Sequence, residues 1–128
     1  MNDETIEQEI QAKGLTASRI TPADIEANIV SEHFFTAWDG AQLAYWKDSD
    51  PAAPKEIEGE PDMDGPLSLL TFCVLILKNG FTVVGKSACA SPEIFDAELG
   101  RKIARQDAVQ QIWPLMGYEL RSKLAESK

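Results

Sequence analysis

The chain has 128 residues, and its length, composition and charge exclude several classes of protein. Hydrophobic residues make up 44% and charged residues 26%, which is ordinary for a globular chain with one core. We therefore expect residues 1–128 to form a single domain. The net charge of −9 argues against duplex DNA or RNA as a partner, because neutralising phosphates requires a basic surface. The longest uncharged stretch, Gly65 to Leu77, is too short to span a bilayer.

The cysteine and histidine content argues against a metal centre. Cys73 lies inside the apolar stretch and Cys89 beyond a turn, and His33 is the only histidine, so no ligand spacing typical of zinc exists. Residues 1–20 lack the basic start and apolar run of a secretory signal. We expect reduced thiols, a cytoplasmic location and no cofactor.

The negative charge is distributed unevenly along the chain. Residues 1–66 carry 15 acidic and 4 basic side chains, whereas residues 67–128 carry 6 acidic and 8 basic ones. The two halves therefore have net charges of −11 and +2. An acidic half of this kind most simply keeps a protein soluble, but a small anion could still bind to the C-terminal half.

The first third of the chain contains two predicted helices. Residues 1–14 place isoleucines at helical spacing before a glycine, which predicts a short helix. Thr21 followed by Pro22 is typical of a capped helix start, and the apolar residues that follow predict a helix over 22–31.

A pair of strands and a loop are predicted next. Residues 33–38 (HFFTAW) have the composition of a strand, Asp39-Gly40 is a turn signal, and a second strand is predicted over 42–46. Residues 47–65 are rich in proline, glycine and acidic side chains and predict an acidic surface loop.

The most legible element is a β-hairpin over about 67–77 and 81–88. Asn79-Gly80 separates two β-forming runs, and both residues of such a pair tolerate positive φ. The first strand is apolar on both faces and should be central, while Gly85 should end or bulge the second. Together these elements predict an α+β fold, with a small antiparallel sheet packed by N-terminal and C-terminal helices.

The last third is predicted to be helical. Ser91-Pro92 has the cap-and-proline pattern of a helix start. Pro114 should kink or break the helix near Trp113, leaving a final short helix. The apolar residues expected to form its buried stripe are Phe95, Leu99, Ile103, Ala108 and Ile112.

The chain contains no familiar catalytic arrangement. It has no nucleophile elbow and no phosphate loop, and its paired carboxylates (Glu56, Glu58, Glu60) lie in the acidic loop, where a solvated surface is expected. We therefore expect a binding protein rather than an enzyme.

A few residues in the C-terminal half could bind a ligand. Arg101 and Arg105 lie one helical turn apart, and an anionic ligand would relieve their repulsion; alternatively, they are an exposed pair with acidic neighbours. Asp96 could accept hydrogen bonds from ribose hydroxyls or stabilise a helix N-terminus. Phe81 could stack on a base or pack in the core.

The C-terminal half also carries an ordered set of motifs. The run LLTFCVLILKNGFTVVGKSACASPEIFDAELGRKIARQDAVQQIWPLMGYEL contains, in order, NGF, SPE-x-FD, GRKIAR and W-x-L-x-GY, and residues 21–37 read TPADIEANIVSEHFFTA. This combination resembles a small phage and prophage family of the "gene product forty-nine" type. The resemblance covers most of the chain except the acidic loop.

The resemblance implies a function. The family that the chain resembles is identified as including phage anti-defence sponges of the Thoeris type, which are oligomers that sequester cyclic ADP-ribose isomers, and in some cases cyclic oligonucleotides, without degrading them. On this basis Phe81 would stack on a base and Asp96 would contact ribose. Ser87, Arg101, Arg105 and Arg121 complete the candidate ligand-binding set. Ile94 stands where the family tends to have asparagine, which puts ligand choice in doubt.

Two functions therefore remain open from the sequence. The first is a nucleotide sponge acting in the host bacterial cytoplasm, with a pocket built from the C-terminal halves of two subunits. The second is a small phage early-region module that binds a host protein through its acidic surface. A basic pocket beside Phe81 favours the sponge, whereas an acidic face beside residues 47–65 favours the protein partner. In either case the apolar surface predicts a homo-oligomer.

Overall fold

The computed structural model describes residues 2–15, 17–47 and 61–126 and confirms the α+β prediction. Three antiparallel strands form a sheet of order β1-β2-β3, so the apolar strand is central, as predicted. Most of the predicted acidic loop, residues 48–60, lies outside the described residues. The elements are α1 (Asp3–Ala12), α2 (Pro22–Ala27), β1 (Ile29–Thr36), α3 (Ala37–Lys47), β2 (Leu70–Leu77), β3 (Thr82–Ala88) and α4 (Ala97–Glu126), with 3-10 turns at Pro66–Leu69 and Pro92–Ile94.

The predicted start of α2 is confirmed, but its predicted end is wrong. Thr21 and Asp24 form a reciprocal capping box, with N···O distances of 2.9 and 3.1 Å. The helix ends at Ala27, and Ile29 begins β1 opposite Leu77. Pairing with the central strand therefore outweighs the helical spacing of the isoleucines.

The two strands predicted over 33–38 and 42–46 are also wrong in part. β1 ends at Thr36, and residues 37–47 form α3 instead of a turn and a strand. The Thr36 hydroxyl accepts from the Asp39 amide, and the Asp39 carboxylate accepts from the Thr36 amide at 2.8 Å. Asp39 therefore completes a helix cap and does not mark a turn.

The β-hairpin is confirmed, with residues 78–81 as its loop. Gly80 has a φ of +87° and is the only described residue of the loop with positive φ. Asn79 contributes through its side chain, which accepts from the Phe81 amide at 2.9 Å. Residues 67–69, predicted as strand, belong to the 3-10 turn before β2.

The prediction that Gly85 ends or bulges β3 is wrong. Gly85 lies buried in the middle of that strand. A Cβ placed there would lie 2.9 Å from the Cα of Ala108, and closer still to the Ala108 nitrogen and the Ala104 carbonyl oxygen. Glycine is therefore required because the backbone of α4 crosses β3 in direct contact.

The buried face of α4 differs from the predicted stripe. Leu99 and Ile103 are 53% and 47% exposed. Several small residues of α4 lie against the sheet, and their size allows the close approach of the helix at Gly85. The buried residues of α4 are Gly100, Ala104, Ala108, Val109 and Ile112.

The predicted boundaries of α4 are corrected at two places. Ser91 and Pro92 begin the short 3-10 turn, whereas α4 itself begins after Asp96, whose carboxylate accepts from the Leu99 amide at 3.1 Å. Pro114 lies inside α4, which continues to Glu126 as one helix. The predicted break near Trp113 is therefore wrong.

The core lies between α4 and one face of the sheet. β2 alternates buried and half-buried residues along its length, so its second face is turned away from α4. The core residues are Ile25, Cys73, Leu75, Leu77, Val83, Ala104, Ala108, Val109 and Ile112.

Candidate ligand-binding surface

All six candidate ligand-binding residues lie on β3, the adjoining turns and α4, and this surface has unpaired positive charge. Within residues 2–15, 17–47 and 61–126, five cationic side chains have no ion pair, and four of them belong to the hairpin and α4. The four are Lys78, Lys86, Arg101 and Arg121.

The carboxylates of the same region mostly have partners. Asp96 caps α4, and Glu98 pairs with Lys102 at 3.5 Å. Asp107 accepts from the Lys86 amide, and Glu119 pairs with Lys123. The hairpin and α4 therefore form the part of this acidic chain that is best suited to an anion.

Arg105 has a different environment from Arg101. Its guanidinium donates to Glu32 at 2.7 Å and to both carboxylate oxygens of Glu26, at 3.1 and 2.8 Å. Hydrogen bonds from Arg105 lower the pKa of Glu26 against the opposing effect of burial. Hydrogen bonds to Glu26 and Glu32 in turn raise the Arg105 pKa. Arg105 thus joins α4 to α2 and β1.

Arg101 is exposed and makes no ion pair or hydrogen bond in the described part of the chain. It follows Gly100, which lies against Thr71 of β2. The two arginines that the sequence groups together therefore divide into one that stabilises the fold and one that is available to an anion.

Phe81 and Tyr118 are exposed aromatic residues. Phe81 lies just before β3 at the hairpin turn and is 55% exposed, so it does not pack in the core. Tyr118 is 78% exposed.

The candidate residues divide between two ends of the sheet. Phe81 lies at the turn end, defined here as residues 78–81. Ser87, Asp96 and Arg101 lie at the far end, defined as residues 87–101, where Ser87 pairs with Thr71 in β2. The seven residues of β3 separate these ends by roughly 20 Å.

Arg121 lies beyond the sheet on the same helix as Arg101. Twenty residues of α-helix separate the two arginines by about 30 Å. One small ligand on a single chain therefore cannot contact both, or both Phe81 and Asp96.

The contacts of β3 with α4 include residues that sequence reasoning missed. On the outer edge of β3, the Lys86 amide donates to Asp107 at 2.9 Å and the Val84 carbonyl accepts from the Gln111 side chain. These side chains satisfy backbone groups of β3 that no further strand of the described residues covers. Asp107 and Gln111 lie four residues apart on a helix next to an edge strand, and this spacing is the sequence signal that could have indicated their role.

A cleft of about 450 Å³ opens at the turn end. It lies between the end of α2, the hairpin turn and the second half of α4, with Asn28, Lys78, Asn79, Met116 and Glu119 in its wall. This cleft shows that residues 116–119 of α4 lie beside the hairpin turn.

A family model describes most of these elements together. The model for the phage protein (N4 Gp49/phage Sf6 gene 66) family matches residues 20–124, from the residue before Thr21 to the last turns of α4. The chain belongs to this phage protein family. The comparison with curated proteins and the comparison with solved structures gave no match.

The family region includes the sheet, α2, α3 and most of α4, and it leaves out α1. α1 has no buried residue, and polar contacts join it to the rest of the fold. One of them is a hydrogen bond of 3.0 Å from Trp113 Nε1 to the Asp3 carboxylate. The six candidate ligand-binding residues of this chain thus lie within the matched region, on or next to elements that form the core.

Two further properties bear on the chemistry of this family member. Within the described residues, no group of three or more histidine, cysteine, aspartate or glutamate side chains could hold a metal ion. None of the described helices is long and apolar enough to cross a membrane.

Proposed function

We propose that this phage protein is an anti-defence protein that binds an anionic cyclic nucleotide signal of the cyclic ADP-ribose type and retains it unchanged. It would act in the cytoplasm of the host bacterium. The observation that carries the proposal is Arg101, which is exposed and makes no ion pair or hydrogen bond within the described residues, in the half of the chain whose net charge is +2.

The exposed side chains support a nucleotide over a simple anion. Phe81 offers a ring to a base, and stacking of a base on an aromatic side chain contributes about 1–3 kcal/mol. Arg101 offers a planar guanidinium, which matches phosphate geometry. Arg105 is held by Glu26 and Glu32, so we assign phosphate contact to Arg101.

The separation of the two ends supports a pocket shared by two chains. Roughly 20 Å between Phe81 and the far end is more than one molecule of the cyclic ADP-ribose type can span. A second copy that places its far end against the first copy's turn end would bring the two groups together.

A thermal-shift screen tests this proposal. The probes are cyclic ADP-ribose isomers, cyclic dinucleotides and cyclic trinucleotides. A ligand at a hundredfold its dissociation constant adds about 2.7 kcal/mol to the stability of the folded state, so at least one probe should raise the melting temperature by several degrees. A protein that none of the probes stabilises would contradict the proposal and favour a host protein as the partner.

The Arg101→Ala variant identifies the cation that binds phosphate. Loss of one charge-assisted contact costs about 1.5–3 kcal/mol, or roughly tenfold to a hundredfold in affinity. Lys102→Ala is the matched control because Lys102 is exposed on the next position of α4 and pairs with Glu98. Equal affinities of the two variants would move the phosphate contact elsewhere, toward Lys86 or Arg121.

A further inference from the structure

The register of α4 along β3 brings a second exposed aromatic residue, Tyr118, to the level of the hairpin turn that carries Phe81. The Lys86 amide contacts Asp107 and the Val84 carbonyl contacts Gln111, so two residues of strand correspond to four residues of helix. A strand rises about 3.3 Å per residue and a helix about 1.5 Å. Two residues of strand and four residues of helix therefore cover nearly the same length. Tyr118 lies seven residues after Gln111, two helical turns along the same face.

Continuing this register brings Tyr118 level with Phe81. Phe81 precedes Val84 by three residues, or about 10 Å of strand, and Tyr118 follows Gln111 by about 10.5 Å of helix. The cleft lined by Lys78, Asn79, Met116 and Glu119 independently places the two chain segments side by side, although neither ring lines it. Both rings are exposed, at 55% and 78%.

The charge beside the rings fits the phosphate of a nucleotide. Arg121 lies one helical turn beyond Tyr118 and has no ion pair among the residues that the structure describes. The nearest carboxylate along α4, Glu119, is paired with Lys123 at 3.3 Å. Two rings next to an unpaired guanidinium are the groups that a base and its phosphate require.

We propose that Tyr118 is a second base-contacting residue, which stacks on the aromatic base of a nucleotide beside Phe81, while Arg121 contacts one phosphate of its diphosphate and Arg101 of a second copy contacts the other. This inference rests on the proposed function and adds to it the position of the base, at the turn end of the sheet.

Titration calorimetry with cyclic ADP-ribose, AMP and ribose 5-phosphate tests the inference. Tyr118→Ala should bind cyclic ADP-ribose and AMP about tenfold more weakly and should bind ribose 5-phosphate as the wild type does, since that probe has no base. Tyr118→Phe keeps the ring and should keep the affinity. Leu43→Ala, an exposed apolar position of α3 outside both ends of the candidate surface, is the matched control and should bind normally.

The possible failures can be told apart. If the wild type binds cyclic ADP-ribose and Tyr118→Ala binds it equally well, the role of Tyr118 is wrong and the proposed function stands. If Tyr118→Ala changes only the oligomeric mass, the rings contact another copy, which also overturns the inference. If the wild type binds none of the nucleotide probes, both proposals are wrong.

Discussion

Gly85 shows how strongly a single residue constrains the packing of this fold. It allows β3 and α4 to touch through their backbones, where an added Cβ would meet Ala104 and Ala108. The small residues of α4 serve the same contact. The sequence marks Gly85 only as a glycine in a strand, so its role could not be predicted before the position of α4 was known.

Gly85→Ala should destabilise the protein severely. The clashing atoms belong to helix backbone and cannot rotate away, so we expect a loss of about 3 kcal/mol in the free energy of unfolding, measured by urea denaturation. Gly117→Ala is the matched control, because nothing lies within 4 Å of a Cβ at that exposed helical position. It should be neutral or slightly stabilising; a Gly85→Ala variant as stable as this control would contradict the packing described.

The ion pairs of Arg105 predict a dependence of stability on pH. Hydrogen bonds from Arg105 hold the pKa of Glu26 below its ordinary value of 4.5, to which it returns in the unfolded chain. The resulting stabilisation is fully present above about pH 4.5 and is lost as the pH falls through the lower pKa of the folded state. Solvent screening keeps its size modest, because Glu26 is more than half exposed.

Glu26→Gln should therefore lower stability near neutral pH and lose less stability on acidification than the wild type. Urea denaturation at several pH values between about 3.5 and 6 measures both effects. Glu98→Gln, which alters only an exposed pair with Lys102, should keep the pH dependence of the wild type. Parallel curves for Glu26→Gln and the wild type would show that this ion pair does not contribute.

At the scale of elements, local capping patterns were more informative than composition. Thr21-Pro22-Ala23-Asp24 correctly predicted a helix start, and Thr36-Ala37-Trp38-Asp39 has the same Thr-x-x-Asp spacing. The aromatic residues around the second pattern favour a strand and a turn and so obscure it. The structure shows the same reciprocal cap at both places, so this signal was present in the sequence.

The hairpin could be predicted in full outline because its turn chemistry and its apolar runs agree. The stripe of α4 could not, since the residues that contact the sheet are glycine and alanine, whereas the larger Leu99 and Ile103 remain exposed. Hydrophobic periodicity detects a helix face of large side chains, and it overlooks a face of small residues that lets a helix approach a sheet closely.

Asp39→Ala tests the assignment of α3. Removing the carboxylate that accepts from the Thr36 amide should cost about 1 kcal/mol, measured by urea denaturation. Gln42→Ala, in the same helix but without a side-chain hydrogen bond, is the control and should cost less. No difference between them would indicate that the cap does not stabilise this helix.

At the scale of the whole molecule, one face of the sheet lacks, within the described residues, the cover that α4 gives the other. The residues of β2 on that face are half-buried, and Phe35 and Val84 beside them are 39% and 50% exposed. This face carries apolar side chains at the centre of an acidic chain, and the candidate ligand-binding residues lie too far apart for one copy to use together. Both features favour a homo-oligomer.

Light scattering coupled to size-exclusion chromatography tests this prediction at micromolar concentration. We expect a mass of at least two chains, because burial of the open face removes apolar side chains from water. Val84→Lys should reduce the mass while the melting temperature stays within a few degrees. A monomeric wild type would contradict both the oligomer and the shared pocket.

The most direct test of the central claim is the recovery of the ligand. The protein is saturated with a cyclic ADP-ribose isomer, freed of excess nucleotide, and denatured by heat, and the released nucleotide is analysed by chromatography. We predict that the nucleotide is recovered unchanged and in stoichiometric amount. Recovery of a hydrolysed product would show that the protein is an enzyme, and recovery of no nucleotide would show that it does not sequester this signal.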